Sequence, residues 1–105
     1  MIKYALGVFD ELTEIAVFLA QHDESVAGRF LDSCEDSFEQ LEKFPEIGTR
    51  QKFDDPKLSE IRMWLVKSFD NYLIFYLPIG DGVRILHVLH SAVDYTRIID
   101  IGDLS

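Results

Sequence analysis

The sequence is short of cysteine, of positive charge and of long apolar runs, and each shortage excludes something. Cys34 is the single cysteine in 105 residues, so no internal disulfide can form. A lone thiol suits a reducing compartment and reads as a small core residue. Ten Lys and Arg face 19 Asp and Glu, a formal charge of −9. That balance disfavours direct nucleic-acid binding, where phosphate contacts dominate affinity. Arg50, Lys52, Lys57, Arg62 and Lys67 nevertheless form a modest basic group. No apolar run is long enough to span a bilayer, so no membrane association is expected. The start, MIKYALGVFDE, has no h-region or small-residue cleavage site; the expected location is the cytoplasm. A P-loop, GxSxG, a CxxC pair and HExxH are all missing, so neither metal nor cofactor is expected.

What is present is organised around Ile61–His90. Three apolar runs, IRMWLV, NYLIFYL and VRILHVLH, are separated by Ser68–Asn71 and Pro78–Gly82. They are rich in β-branched and aromatic residues, and both breaks carry turn chemistry, which predicts an antiparallel three-stranded meander. The central run is apolar on both parities, as a strand covered on both faces should be. Upstream, Val8, Leu12, Ile15, Ala16 and Leu19 repeat with helical period. His22-Asp23-Glu24 breaks the pattern, and Asp23 or Ser25 can cap a second helix. That helix carries Ala27, Phe30, Leu31, Cys34, Phe38 and Leu41 on one stripe and stops at Phe44-Pro45. Two helices joined so closely must form an antiparallel hairpin. Ile2–Ala5 can add a short strand, and Asp94 can cap a last turn over Tyr95–Ile99. The expected fold class is α+β: one domain over residues 1–105, ordered β-α-α-β-β-β with a short C-terminal helix. Its antiparallel sheet is covered on one face by the helical hairpin.

Charge is unevenly spread. Residues 1–46 hold 11 acids and 3 bases, and the rest of the chain is nearly neutral. The acidic outer face of the helices reads as a solvated face or as a docking surface for a basic partner. A two-residue loop at Asp70-Asn71 and a closure with Pro78 facing Val83 would set the strand faces. Trp64, Val66, Leu73, Phe75, Leu77, Leu86 and Val88 then lie under the helices, with Arg62, Arg84 and His90. The opposite face presents Met63, Leu65, Phe69, Tyr72, Ile74, Tyr76, Val83, Ile85 and Leu89, with Lys67 and His87. One hairpin covers one face, so Met63, Leu65, Lys67, Phe69, Tyr72, Ile74, Tyr76, Ile85 and His87 form the expected partner surface. Cover by residues 45–59 and the C-terminal turn is the alternative. His87 and His90, three apart on a strand, point to opposite faces and cannot share a metal. The one cluster with catalytic residue types is His90 with Tyr95 and Arg97, to which Arg62 is added as a cation for phosphate.

AGRFLDSCEDSFEQLEKFPEIG (Ala27–Gly48) resembles the helix of RelE/ParE-type toxins, with its Ala-x-x-Phe-Leu start and Phe-Pro-Glu-x-Gly end. DELTEIAVFLA (Asp10–Ala20) is similar to the first family helix. IRMWLVKSFDNYLIFYL resembles the Arg-containing and Tyr-x-Ile-Phe-Tyr strands, and VRILHVLH the last strand. The resemblance spans residues 2–99 and implies the toxin of a type II toxin–antitoxin, or plasmid stabilisation, module. A cognate antitoxin would neutralise it, with self-association the other use of an uncovered sheet face. RelE-like members cleave messenger RNA on the ribosome, while ParE-like members inhibit DNA gyrase. Val93 stands where many members place Arg in a His-x-x-Arg-Asp run. This favours the ParE-like branch, a protein-binding inhibitor rather than an enzyme. The alternatives are a metal-independent ribosome-dependent endoribonuclease and a detoxified antitoxin-binding module.

Overall fold

In the computed structural model, which describes residues 1–104, the helical hairpin lies across one face of a five-stranded sheet. The strands are β1 (Ile2–Tyr4), β2 (Thr49–Arg50), β3 (Arg62–Val66), β4 (Phe69–Ile79) and β5 (Gly82–His90), in spatial order β1-β5-β4-β3-β2. The expected α+β architecture is present, with two changes: β1 runs parallel to β5, so the sheet is mixed, and Thr49–Arg50 adds a fifth strand beside β3 that the expected order did not contain. Three residues of alternating pattern carry no information on strand direction, and β2 is shorter still.

Helix α1 (Val8–Ala20) starts after Gly7, whose φ of 98° is left-handed backbone that glycine adopts without strain. Helix α2 (Glu24–Lys43) is capped by Asp23, whose Oδ1 accepts from the Ser25 N–H and hydroxyl at 2.9 and 2.8 Å. Phe30, Cys34, Phe38 and Leu41 are buried as the stripe required, but Leu31 is exposed. Adjacent residues on a helix point about 100° apart, so Phe30 and Leu31 cannot both face the sheet.

The strand faces differ from the expected ones for two reasons. First, β3 and β4 are joined through Lys67-Ser68, with Val66 paired to Phe69 and Ser68 at φ 65°. Asp70-Asn71 is absorbed in an irregularity of β4 instead. This closure buries Val66 completely and sets the Phe69 ring edge-on to Phe30 at 5.3 Å. The Lys67 N–H is satisfied by the buried Ser37 hydroxyl at 2.9 Å, which donates in turn to Ser33 O. Against the expected loop the register moves by three, an odd number, so β3 and β4 exchange parity. Second, Tyr76 pairs with Ile85 and Phe75 with His87, leaving Leu86 as a bulge in β5. The other hairpin closes as expected, with Pro78 opposite Val83.

Tyr72 packs on Phe30 at 5.0 Å, and this fixes the helix-facing set. It comprises Arg62, Trp64 and Val66, then Tyr72, Ile74 and Tyr76, then Val83, Ile85, Val88 and His90. Phe75 instead faces away from the helices, as do Met63, Leu65, Leu73, Leu77, His87 and Leu89. That second face has its own cover. Tyr95, in the 3₁₀ turn Tyr95–Arg97, stacks on Phe75 at 4.8 Å, and Phe53 packs on Tyr95 at 5.8 Å. Leu58, Ile61 and Ile99 are buried beside them. The 45–59 connection and the C-terminal turns therefore do what a second helical layer would otherwise do.

Candidate partner-binding surface

The expected partner surface does not exist as one surface. Tyr72, Ile74, Tyr76 and Ile85 are core residues under the helices, and Phe69 is half-buried against Phe30. Met63, Leu65 and His87 lie on the opposite side of the sheet, and exposed Lys67 pairs with Asp36 of α2 at 3.7 Å. The odd register shift is the cause. A Glu placed at Tyr76 or Ile74 would thus destroy the core rather than remove a contact.

The catalytic candidates are not brought together either. Arg62 donates to Gly48 O at 2.7 Å and to Glu46 O at 3.1 Å. Across the strand pair, the buried Tyr76 hydroxyl donates to Pro45 O and accepts from the Gly48 N–H, each at 2.8 Å. A Cβ on Gly48 would sit 2.6 Å from that hydroxyl and 2.8 Å from Met63 O. The Phe44–Gly48 segment, Arg62 and Tyr76 are therefore one interlocked unit that ends α2 and docks it on β3 and β4. Burial pushes the Tyr76 hydroxyl's pKa above the ordinary value, so it stays a neutral donor.

His90 faces the helices at the far end of β5, its ring edge-on to Tyr72 at 5.1 Å. Its Nδ1 accepts from the Ala92 N–H at 3.0 Å. The strand partners of Arg62 and His90, Tyr76 and Tyr72, stand four residues apart on β4, roughly 13 Å along the strand. Tyr95 lies on the other side of the sheet. Arg97 is almost fully exposed and pairs with Asp94 at 3.5 Å. Three of the four are bound into structural contacts, and among the described residues no hydrogen bond or ion pair joins any two of them. Cys34 adds no nucleophile, since burial pushes its thiol up to about 12.

One titratable cluster was not foreseen. His87 lies between two carboxylates, Nδ1 donating to Glu11 Oε2 at 2.6 Å and Nε2 to Asp103 Oδ1 at 3.0 Å. Glu11 Oε1 accepts from the Val88 N–H at 3.0 Å, filling the edge of β5 beyond the last paired residue of β1. Asp103 Oδ2 accepts from the Asp100 N–H at 3.0 Å. Both nitrogens are engaged, so His87 has no free position from which to take a substrate proton. It joins α1, β5 and the C-terminal turn.

The exposed apolar side chains gather elsewhere. Helix α1 buries Val8 and Leu12 but leaves Phe9, Val17 and Phe18 more than half exposed. At its start, Tyr4 packs on Phe9 at 4.9 Å and on Phe38 at 5.8 Å, with Leu6 fully exposed between strand and helix. Acids of α2 border this patch. Burial, then the charges of Glu35, Glu42 and Glu39, raise the Tyr4 hydroxyl's pKa. A separate open apolar groove of about 650 Å³ is lined by Lys43–Ile47 with Pro78 and Ile79.

A helical hairpin packed on one face of a small mixed sheet, with irregular cover on the other, is the RelE/ParE-like fold. A family model described as "ParE toxin of type II toxin-antitoxin system, parDE" matches residues 2–95, and the chain belongs to that family. No curated protein sequence matches it. The chain is thus the toxin component of a type II toxin–antitoxin system, and an antitoxin is its implied partner. No helix among the described residues is long and apolar enough to cross a membrane.

Proposed function

We propose that this toxin acts in the cytoplasm by protein–protein contact, with DNA gyrase as its target, and that a cognate antitoxin neutralises it by binding. The observation that carries this reading is the dispersal of Arg62, His90, Tyr95 and Arg97. General acid–base cleavage of RNA needs a base, an acid and a phosphate-binding cation within reach of one scissile bond. Here Arg62 serves the α2 terminus, Tyr95 covers Phe75, and His90 lies across the sheet from Tyr95. Val93, exposed in the turn after β5, adds no cation there. The net charge of −9 supports the same reading, since it opposes approach to ribosomal RNA.

Induction of the protein alone should cause filamentation and a DNA-damage response while amino-acid incorporation continues. A prompt stop in incorporation with cleaved messenger RNA would identify the ribonuclease instead. Growth unaffected by a well-expressed, folded protein would identify an antitoxin-binding module that has lost toxicity.

A further inference from the structure

We propose that the patch formed by Tyr4, Leu6 and Phe9, together with Glu35 and Glu39, is a docking site for a basic, apolar segment of a partner protein. This rests on the toxin–antitoxin reading and gives the neutralising segment a chemistry: large apolar side chains interleaved with Lys or Arg.

The patch has two components. The apolar one lies where β1 leaves the sheet and α1 begins. Leu6 is 103% exposed, Phe9 60% and Tyr4 38%, and the two rings are in contact. Large apolar side chains left together in solvent on a small domain mark an interaction surface. The charged component comes from α2. Glu35, Glu39 and Glu42 lie at i, i+4 and i+7, on one face of that helix. Glu42 is paired with the amino group of Met1. Neither Glu35 nor Glu39 has an ion-pair partner among the described residues. An acidic or neutral partner segment laid on the aromatic rings would bring its own charges, or none, against these two carboxylates. A basic one would neutralise them and be steered by the net charge of the chain's first half. β1 is also the edge strand of the sheet, paired on one side only. The occupant can therefore reach main-chain groups as well as side chains.

The test uses the full chain and two synthetic amphipathic peptides of the same length and spacing, one of leucine and lysine, the other of leucine and glutamate. Binding is measured by fluorescence anisotropy. Three variants are compared with the parent: Phe9→Asp, the double change E35K/E39K, and D54K/D70K, which makes the same charge change at exposed positions elsewhere. The lysine peptide should bind the parent in a salt-sensitive way. Phe9→Asp and E35K/E39K should each weaken it about tenfold or more, and D54K/D70K by no more than about twofold. Circular dichroism confirms the fold of each variant. Equal binding of the glutamate peptide overturns the proposal. So does an equal loss in D54K/D70K, which would make the attraction a whole-molecule effect, or no loss in the first two variants. Growth on induction is scored in parallel. Arrest without selective lysine-peptide binding overturns the docking site and leaves the toxin intact. Selective binding without arrest supports the docking site and overturns the toxicity.

Discussion

Replacing His87 with glutamine tests the cluster that ties the C-terminal turn to the rest of the molecule. In the parent, both ring nitrogens meet acceptor-only carboxylates, so the arrangement requires the imidazolium. Side-chain exposures of 14% for His87, 22% for Glu11 and 18% for Asp103 make this a substantially desolvated triad. Burial pulls the His87 pKa down, but the contacts with Glu11 and Asp103 outweigh it, and the net shift is upward from 6.5. Hydrogen bonds to charged groups contribute about 1.5–3 kcal/mol each. Offsetting two of them by the desolvation cost of the ion leaves about 2–4 kcal/mol. In a domain of this size that is roughly 10–20 °C in Tm. Because the folded-state pKa is the higher one, the part of this stability that depends on the imidazolium charge is fully present below about pH 6.5 and is lost as the pH rises through the folded value. Urea unfolding at intervals from roughly pH 6 to 9 should show the parent losing stability and the His87→Gln protein starting lower. The gap between them should narrow as the pH rises. A constant gap, or none at pH 6, would refute the charged clasp.

Other outcomes follow from the core. Tyr76→Phe removes one hydroxyl from two main-chain partners, the part-buried Pro45 O and the buried Gly48 N–H. It should cost about 1–3 kcal/mol, read as a lower urea midpoint at unchanged m. Gly48→Ala should destabilise by a similar or larger amount and act less than additively with Tyr76→Phe, since the new methyl collides with that hydroxyl. Phe75→Ala should cost about 3–5 kcal/mol, although the residue lies on the side away from the helices, because it is fully buried beneath Tyr95. An unchanged thermal midpoint would show that the C-terminal turn is not the cover described.

Much of the fold was legible because its signals are periodic or local. The α2 stripe apart from Leu31, the Asp94 cap and the closure with Pro78 opposite Val83 were legible in this way, while the α2 cap was open between Asp23 and Ser25 and falls to Asp23. The expected loop of the first hairpin is Asp70-Asn71, but the hairpin closes at Lys67-Ser68. Turn propensity favours Asp70-Asn71, but burial of Val66 and the Phe69–Phe30 contact override it. The Leu86 bulge is silent in the sequence, because β5 is apolar on both parities and a slipped residue breaks no pattern. These two events moved Tyr72, Ile74, Tyr76 and Ile85 from an expected surface into the core. Glu11, His87 and Asp103 are separated by 76 and 16 positions, and only the topology brings them together. Their one trace is a histidine inside an apolar strand. The Tyr4–Phe9 patch did leave a signal: α1 carries more apolar residues than one buried stripe can use, and Phe9, Val17 and Phe18 are the surplus.

Central to the account is inhibition by protein contact without RNA cleavage, and DNA supercoiling by purified gyrase tests it most directly. Addition of the purified toxin should inhibit supercoiling or trap cleaved DNA in the gyrase complex. In a parallel purified translation reaction it should leave ribosome-bound messenger RNA intact. Undisturbed supercoiling together with messenger RNA cut at the ribosome would contradict the account and require Arg62, His90, Tyr95 or Arg97 to assemble in a way their present contacts oppose.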